Sequence, residues 1–157
     1  MKNSVKKIAH TGVIAALYII LTYSIQFLAS GPIQIRFSEA LCILCVFTPA
    51  AIPGLTIGCL LSNILMGSAL YDIVFGTLAT LIGAFGTRLL KKHPYIAPLP
   101  TILSNTLIIP FILKYVYGAE ELFPILVVSI FVGEFLSAGV LGILLYRLLK
   151  KYPRLFS

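Results

Sequence analysis

Three long apolar stretches constrain this chain more than any other feature. Ile8 to Leu28, Asp72 to Leu90 and Leu122 to Leu149 contain very few ionisable side chains. Each approaches or exceeds the roughly 20 residues that a helix needs to cross the hydrocarbon core of a bilayer. Only 11% of the 157 residues are charged, against about a quarter in a typical soluble domain. The sequence therefore predicts an all-α integral membrane protein.

Basic residues gather in three clusters at the ends of apolar segments, and these clusters predict the orientation of the chain. Basic side chains concentrate in the cytoplasmic loops of membrane proteins, so we expect all three clusters on the cytoplasmic side. The net charge of +7 forms no basic patch interleaved with aromatic residues, which argues against nucleic acid as a partner. The clusters are Lys2, Lys6 and Lys7; Arg88, Lys91 and Lys92; and Arg147, Lys150, Lys151 and Arg154.

The segment from Ser38 to Met66 decides how many helices the chain forms. Pro49, Pro53 and Gly54 interrupt it, so it is either one kinked helix or two short ones. An even number of crossings must separate two cytoplasmic clusters, and one clear span lies on each side of this segment. The segment must therefore cross twice. The sequence predicts short helices two and three, joined by a turn over residues 49–54.

The second half of the chain adds two more predicted helices. Leu99 to Tyr117 runs outward and Phe123 to Leu149 runs back, with residues 118–121 as the external connection. We therefore expect one domain over residues 1–157, a bundle of six transmembrane helices with both termini in the cytoplasm. This orientation places every carboxylate on the outer side or in the outer half of the bundle.

Glu134 is the ionisable residue that stands deepest in an apolar stretch. It lies roughly 16 Å into the last helix at about 1.5 Å per residue, and a charge at the centre of a bilayer helix costs about 2.5–3.5 kcal/mol on insertion scales. Small residues surround it and permit close helix approach. Either Glu134 lines an outward-facing polar cavity, or it bridges helices by pairing with Arg36 or Asn105.

Further polar residues near the outer end have both a ligand-binding and a structural explanation. Ser38 and Asp72 are predicted caps of helices two and four, and Glu39 suits the positive end of the helix-two dipole. Arg36 departs from the cytoplasmic preference of basic residues, so it needs either Glu39 or a ligand as a partner.

The polar amides and aromatic rings of this region are equally open to two interpretations. Asn63 and Asn105 lie within helices, where an amide can serve packing alone. Phe37, Tyr115 and Tyr117 offer flat faces to a ring-shaped ligand, but aromatic belts at the membrane interface explain such residues as well. The predicted substrate-binding residues are Glu134, Glu39, Arg36, Asn105, Asn63, Asp72, Phe37 and Tyr71.

The sequence contains no pattern for catalysis, metal binding or ATP hydrolysis. Cys42, Cys45 and Cys59 lie in apolar surroundings, and three cysteines make neither a paired disulfide framework nor a four-ligand zinc site. A phosphate-binding loop of the G-x-x-x-x-G-K-[ST] type is also absent. We predict that the chain is not an enzyme, holds no metal or cofactor, and needs partner subunits for any ATP-driven role.

Small residues on helix one form a smooth strip. Gly12 and Ala16 are a small-x-x-x-small pair, and Ala9 and Ala15 broaden that side. Such a strip suits another helix, which belongs either to this chain or to a partner protein.

Three segments together resemble the QueT family. They are residues 34–41 (QIRFSEAL), 47–54 (FTPAAIPG) and 72–80 (DIVFGTLAT), and the resemblance extends over nearly the whole chain. It implies a six-helix substrate-binding S component of an energy-coupling factor (ECF) transporter, in a bacterial cell membrane, that takes up queuosine precursors of the 7-deazaguanine class. It also implies a transmembrane coupling subunit and two cytoplasmic ATPases as partners.

The resemblance further implies docking to the coupling subunit through small residues of helix one, here Ala9, Gly12 and Ala16. Gly12 stands where the family commonly has alanine. Other hypotheses remain open: an S component for another vitamin, a self-sufficient small carrier or channel, and a non-catalytic scaffold of a membrane enzyme.

Overall fold

The computed structural model describes residues 2–24 and 36–156, and within these ranges the chain forms six helices and no strand. A short 3₁₀ turn, Pro153–Phe156, follows the last helix. The six helices are α1 (Lys2–Ser24), α2 (Phe37–Phe47), α3 (Ala51–Leu65), α4 (Leu70–Leu89), α5 (Leu99–Tyr115) and α6 (Phe123–Leu149).

Three of these helices are long and apolar enough to cross a membrane. They are Ser4–Ser24 within α1, α4 and α6, with 21, 20 and 27 residues. The other three are shorter apolar helices, so the prediction that helices two and three are short is confirmed. The last four residues of the first predicted span, 25–28, lie outside the described residues. The number of crossings stays a prediction.

The connection between α2 and α3 is shorter than the sequence predicted. Thr48 is extended, with φ −138° and ψ 136°, as expected for a residue before proline. The turn then ends at Ala50, and Pro53 and Gly54 belong to α3. A proline in the first helical turn costs no backbone hydrogen bond, so Pro53 does not break the helix. The predicted turn over 49–54 was therefore too long at its C-terminal side.

Glycines let α1 and α3 pack closely. A Cβ at Gly54 would lie 2.9 Å from Ile14 Cβ, and one at Gly58 would lie 2.7 Å from Tyr18 Cβ. Neither distance is tolerated by packed carbon atoms. Gly54 therefore serves helix contact and not a turn.

A glycine also lets α4 and α5 pack closely. A Cβ at Gly83 would lie 2.7 Å from Thr101 Cα, and the hydroxyl groups of Thr87 and Thr101 lie 3.2 Å apart in the buried interface. Arg88, at the end of α4, donates to the carbonyl oxygens of Cys45 and Val46 at 3.0 Å. It thereby ties the C-terminal end of α2 to α4.

Large apolar side chains cover the outside of the bundle. Leu107 is 67% exposed and Val128 is 60% exposed, and many others on all the longer helices share this exposure. A continuous apolar surface of this kind is unfavourable in water but suits lipid. The fold therefore places apolar groups outward, while polar side chains such as Glu39, Asn105 and Glu134 are buried inside.

Candidate functional site

Four helices contribute side chains to a buried group that we call the polar cluster, formed by Tyr18, Arg36, Glu39, Asn105 and Glu134. The Tyr18 hydroxyl donates to Glu39 Oε1 at 2.6 Å. Glu134 interacts electrostatically with Glu39 and Arg36, and Asn105 lies beside both carboxyl groups, although its Nδ2 makes a hydrogen bond to neither. Glu39 is 2% exposed and Glu134 is 5% exposed. The structure therefore brings together four of the predicted binding residues.

Irregular helix geometry supports the cluster from two sides. The first part of α2, Phe37–Ile43, is a 3₁₀ helix, and the middle of α6, Phe135–Leu141, is a π-helix that begins directly after Glu134. These two segments pack against each other. Short π-helical segments are frequent at functional sites, and this one begins at the residue after Glu134.

Several buried polar atoms around the cluster have no hydrogen-bond partner among the described residues. They are Ser38 Oγ, Asn105 Nδ2, Thr106 Oγ1, Glu134 Oε2 and Ser137 Oγ. Buried polar groups are normally paired, and each unpaired one costs about 1–3 kcal/mol. A polar ligand could form the hydrogen bonds that these buried donors and acceptors lack.

Asp72, Asn63 and Tyr117 form a second polar group at the same end of the bundle. Tyr117 donates its hydroxyl hydrogen to Asp72 Oδ2 at 3.0 Å and accepts from the Ala69 N–H at 3.0 Å. Asn63 Nδ2 donates to the Asp72 carbonyl oxygen at 3.4 Å. Arg36 interacts electrostatically with Asp72 as well as with Glu39, so it links this group to the polar cluster.

Two of the basic clusters lie at the opposite ends of their helices. Asp72 is in the first turn of α4 and Arg88 in its last turn, about 24 Å away at 1.5 Å per residue. Arg147 likewise stands in the last turn of α6. Asp72 and these two basic clusters therefore occupy opposite ends of the bundle, whereas Arg36 lies with the carboxylates.

Two predicted cap roles were wrong. Arg36, not Ser38, occupies the N-cap position of α2, and Ser38 is fully buried inside the 3₁₀ segment. Ala69 occupies the N-cap position of α4, which leaves Asp72 in the first turn with its carboxylate bonded to Tyr117. Asp72 nevertheless stands in the first turn of α4, where a carboxylate suits the positive end of the helix dipole.

The predicted aromatic residues are placed differently from the polar ones. Tyr71 is 61% exposed and stacks on Phe75 at a centroid distance of 6.4 Å, so it points away from the polar groups. Phe37 is half-buried at the start of α2. Sequence reasoning missed the role of Tyr18, which is one of several hydroxyl side chains on α1.

The small residues of α1 lie on its exposed side. Ala9, Gly12 and Ala16 are all exposed, and no atom lies within 4 Å of a Cβ built on Gly12. Ala15 is on the other side, buried against Gly58, so the prediction that it broadens the strip was wrong. The described part of the chain leaves this strip uncovered.

The described cysteines give no sign of metal or redox chemistry. Cys42, Cys45 and Cys59 are free and buried. Within residues 2–24 and 36–156, no three His, Cys, Asp or Glu side chains are grouped as a metal site.

Comparison with known proteins supports a transport role. Residues 8–151 match the family described as QueT transporter. A relative in Lactococcus lactis subsp. cremoris (strain MG1363), named queuosine precursor transporter QueT, is 37% identical over 83 residues, which cover 52% of this chain and 48% of the relative. The match thus spans about half the length of that curated relative. No solved structure matches.

Proposed function

Because the chain belongs to the QueT transporter family, a family of transporters and not of enzymes, we propose that it is the substrate-binding S component of an ECF importer. In this proposal it captures a 7-deazaguanine precursor of queuosine from outside the cell. The observation that carries the proposal is the set of buried, unpaired polar atoms on α2, α5 and α6, which an apolar membrane bundle would otherwise not retain.

The proposed topology has six crossings and both termini in the cytoplasm. The separation of Asp72 and Arg88 to opposite ends of α4, together with Arg147 in the last turn of α6, supports it. It makes the bundle end with Glu39 and Asp72 the outer one, where a substrate arriving from outside would enter.

The polar cluster offers the chemistry that a deazaguanine needs. The ring presents an N–H and an amino group side by side, and a carboxylate accepts from both in a bidentate arrangement. Glu134 has the unpaired oxygen for this role. Asn105 Nδ2, also unpaired, or the Arg36 guanidinium donates to the ring carbonyl.

Energy for transport comes, in this proposal, from other subunits. The chain has no phosphate-binding loop, so two cytoplasmic ATPases and a transmembrane coupling subunit would drive the import. The exposed strip of Ala9, Gly12 and Ala16 on α1 supports a docking surface for the coupling subunit, since small residues allow helices to approach closely.

Thermal stabilisation tests the substrate. The detergent-purified chain is heated with deazaguanines, ordinary purines and water-soluble vitamins, because a ligand that binds only the folded state raises the unfolding temperature. Selective stabilisation by a deazaguanine is expected. Stabilisation by a vitamin would keep the transporter class and replace the substrate, and no response from verified folded protein would contradict substrate capture.

A further inference from the structure

The basic end of α6 carries positive charge that no Asp or Glu of the chain balances. Arg147, Lys150 and Lys151 lie exposed in the last turn of the helix and just beyond it. The sequence has five acidic residues. Three of them are buried with Arg36, and the other two precede the far end of α6, about 36 Å away at 1.5 Å per residue. A negative group from outside the chain can therefore bind here.

An apolar floor lies beside these three cations. A cavity of about 490 Å³ is lined by all of them together with Leu144 and Leu148. Both leucines are exposed, at 49% and 60%. Arginine and lysine stems cover apolar surface while their charged heads stay in polar surroundings. The cavity therefore combines a hydrocarbon surface with positive charge.

Tyr95 connects this cavity to an apolar groove between α5 and α6. Its ring lines the groove, and the Arg147 guanidinium lies 5.9 Å from the ring centroid, within the range of a cation–π interaction. Ile143 lines the groove four residues before Arg147, so the two side chains share one side of α6. The cationic cavity and the apolar groove are thus neighbours on the surface of the bundle.

The groove offers hydrocarbon contacts alone over most of its length. From Ile143 to Phe135 it follows α6 over about 12 Å at 1.5 Å per residue. Gly139, between them, has no side chain to fill it, and a Cβ there would lie 3.6 Å from Ile102 Cδ1. Every described side chain that lines the groove, apart from Tyr95, is apolar. A hydrocarbon chain therefore suits the groove better than a polar ligand.

We propose that an anionic phospholipid binds at this end of the bundle, with its phosphate on Arg147, Lys150 and Lys151 and one acyl chain in the groove between α5 and α6. Arginine binds phosphate oxygens in a bidentate arrangement, and basic residues at a membrane surface attract anionic lipids. A soluble anion would leave the groove empty, and a zwitterionic lipid would bring its own positive charge to the cations. The inference goes beyond substrate capture, since none of these residues belongs to the polar cluster.

Native mass spectrometry of the detergent-purified full chain measures the lipid affinity. Phosphatidylglycerol and phosphatidylcholine with the same acyl chains are titrated separately. Each basic residue near an anionic lipid is worth about fivefold in affinity, so we expect phosphatidylglycerol to bind tighter by about tenfold or more. Arg147→Gln combined with Lys151→Gln should remove most of this preference. If the double variant does not fold, Lys150→Gln alone should lower the preference about fivefold.

Lys91→Gln combined with Lys92→Gln is the matched control. Both lysines are exposed in the loop after α4, and neither lines the cavity or the groove. This variant removes two positive charges from the same end of the bundle, so the preference for phosphatidylglycerol should remain.

Val140→Phe tests the groove separately from the charges. Val140 lines the groove and is 42% exposed, so a larger side chain can be accommodated but takes the place of the acyl chain. Both lipids should bind about threefold to tenfold more weakly, with the preference between them retained. Unchanged affinity for both would overturn the assignment of the acyl chain to the groove.

Four further outcomes would overturn the proposal. Equal affinity of the wild-type protein for the two lipids would exclude recognition of the headgroup charge. Equal loss of preference in both double variants would show general attraction by the basic end and no built site. Equally tight binding of glycerophosphoglycerol, the same headgroup without acyl chains, would make this a site for a soluble anion. Normal lipid affinity of Arg147→Gln with Lys151→Gln, together with lost co-purification of the coupling subunit, would assign these cations to a protein partner. None of these outcomes bears on deazaguanine capture, which is measured by thermal stabilisation.

Discussion

At the scale of single residues, Glu134 is the side chain on which the proposed binding chemistry depends most. Glu134→Gln keeps the size of the side chain but exchanges one carboxylate acceptor for an amide donor, so the ring donors of the ligand lose a partner. We expect deazaguanine affinity to fall at least about tenfold, or roughly 1.4 kcal/mol, in calorimetric titration. Glu121→Gln, at an exposed position, should leave affinity unchanged. Unaltered binding by folded Glu134→Gln would return Glu134 to a structural role.

The hydroxyl of Tyr18 is expected to assist binding through Glu39. It donates to Glu39 Oε1 at 2.6 Å, and Tyr18→Phe removes this donor while keeping the ring that packs against Gly58. We predict that affinity falls about threefold to tenfold, in line with one buried hydrogen bond, with a smaller change in unfolding temperature. A large loss of stability with normal affinity would show that the bond serves the fold alone.

The charged residues of the polar cluster could be predicted from the sequence, but their hydrogen-bond partner Tyr18 could not. Glu134, Glu39 and Arg36 stood out because ionisable groups are costly in apolar helices, and the structure places them together. Tyr18 did not stand out, since a tyrosine is compatible with packing and with membrane interfaces alike. The exposed position of Tyr71 could not be foreseen either, because it depends on how α4 is rotated.

At the scale of helices, close packing of α1 on α3 depends on glycine. Gly58→Ala would place a Cβ 2.7 Å from Tyr18 Cβ, so one helix must shift, and overpacking of this kind costs about 1–3 kcal/mol. We expect a lower unfolding temperature and weaker ligand binding, because Tyr18 moves. Gly12→Ala is the control: nothing lies within 4 Å of its Cβ, and the better helix propensity should maintain or raise stability. Equal effects of both substitutions would contradict this packing.

Bulky side chains in the exposed strip of α1 are expected to prevent assembly without affecting ligand binding. Gly12→Leu and Ala16→Leu add bulk at exposed positions, so the isolated chain should still bind its ligand with normal affinity. Assembly with the coupling subunit, measured by co-purification, and uptake into cells should both be lost, because leucine prevents close helix approach. Val128→Leu, on the exposed side of α6, is the control and should leave both assembly and uptake unchanged. Normal assembly of the α1 variants would exclude the strip as the docking surface.

The sequence predicted the six helical segments, but it did not predict which parts of them are 3₁₀ or π-helical. The apolar stretches and charge clusters led to six segments, which the described residues contain. The 3₁₀ geometry of Phe37–Ile43 and the π-helix of Phe135–Leu141 have no sequence period that distinguishes them over seven residues. Gly54 was assigned to a turn because glycine marks turns and close packing equally well, and only its neighbour Ile14 decides between them.

At the scale of the whole molecule, the fold separates an acidic end from a basic one. Asp72 and Arg88 stand at opposite ends of α4, and the carbonyl contacts of Arg88 with Cys45 and Val46 bring the end of α2 to the basic side. The polar cluster, with side chains from α1, α2, α5 and α6, lies buried toward the acidic end, away from the basic one. The exposed strip of α1 runs along the side of the bundle between them.

Labelling of single added cysteines tests this orientation. Cys42, Cys45 and Cys59 are buried, so the wild-type chain should react little with a membrane-impermeant maleimide. We expect Glu120→Cys, in the loop after α5, to be labelled in intact cells, and Lys92→Cys, after α4, to be labelled only once the cells are broken. Both positions are exposed, so accessibility within the protein is matched and only the side of the membrane differs. Labelling of Lys92→Cys in intact cells would contradict the six-crossing topology, and with it the proposal that the polar cluster receives its ligand from outside.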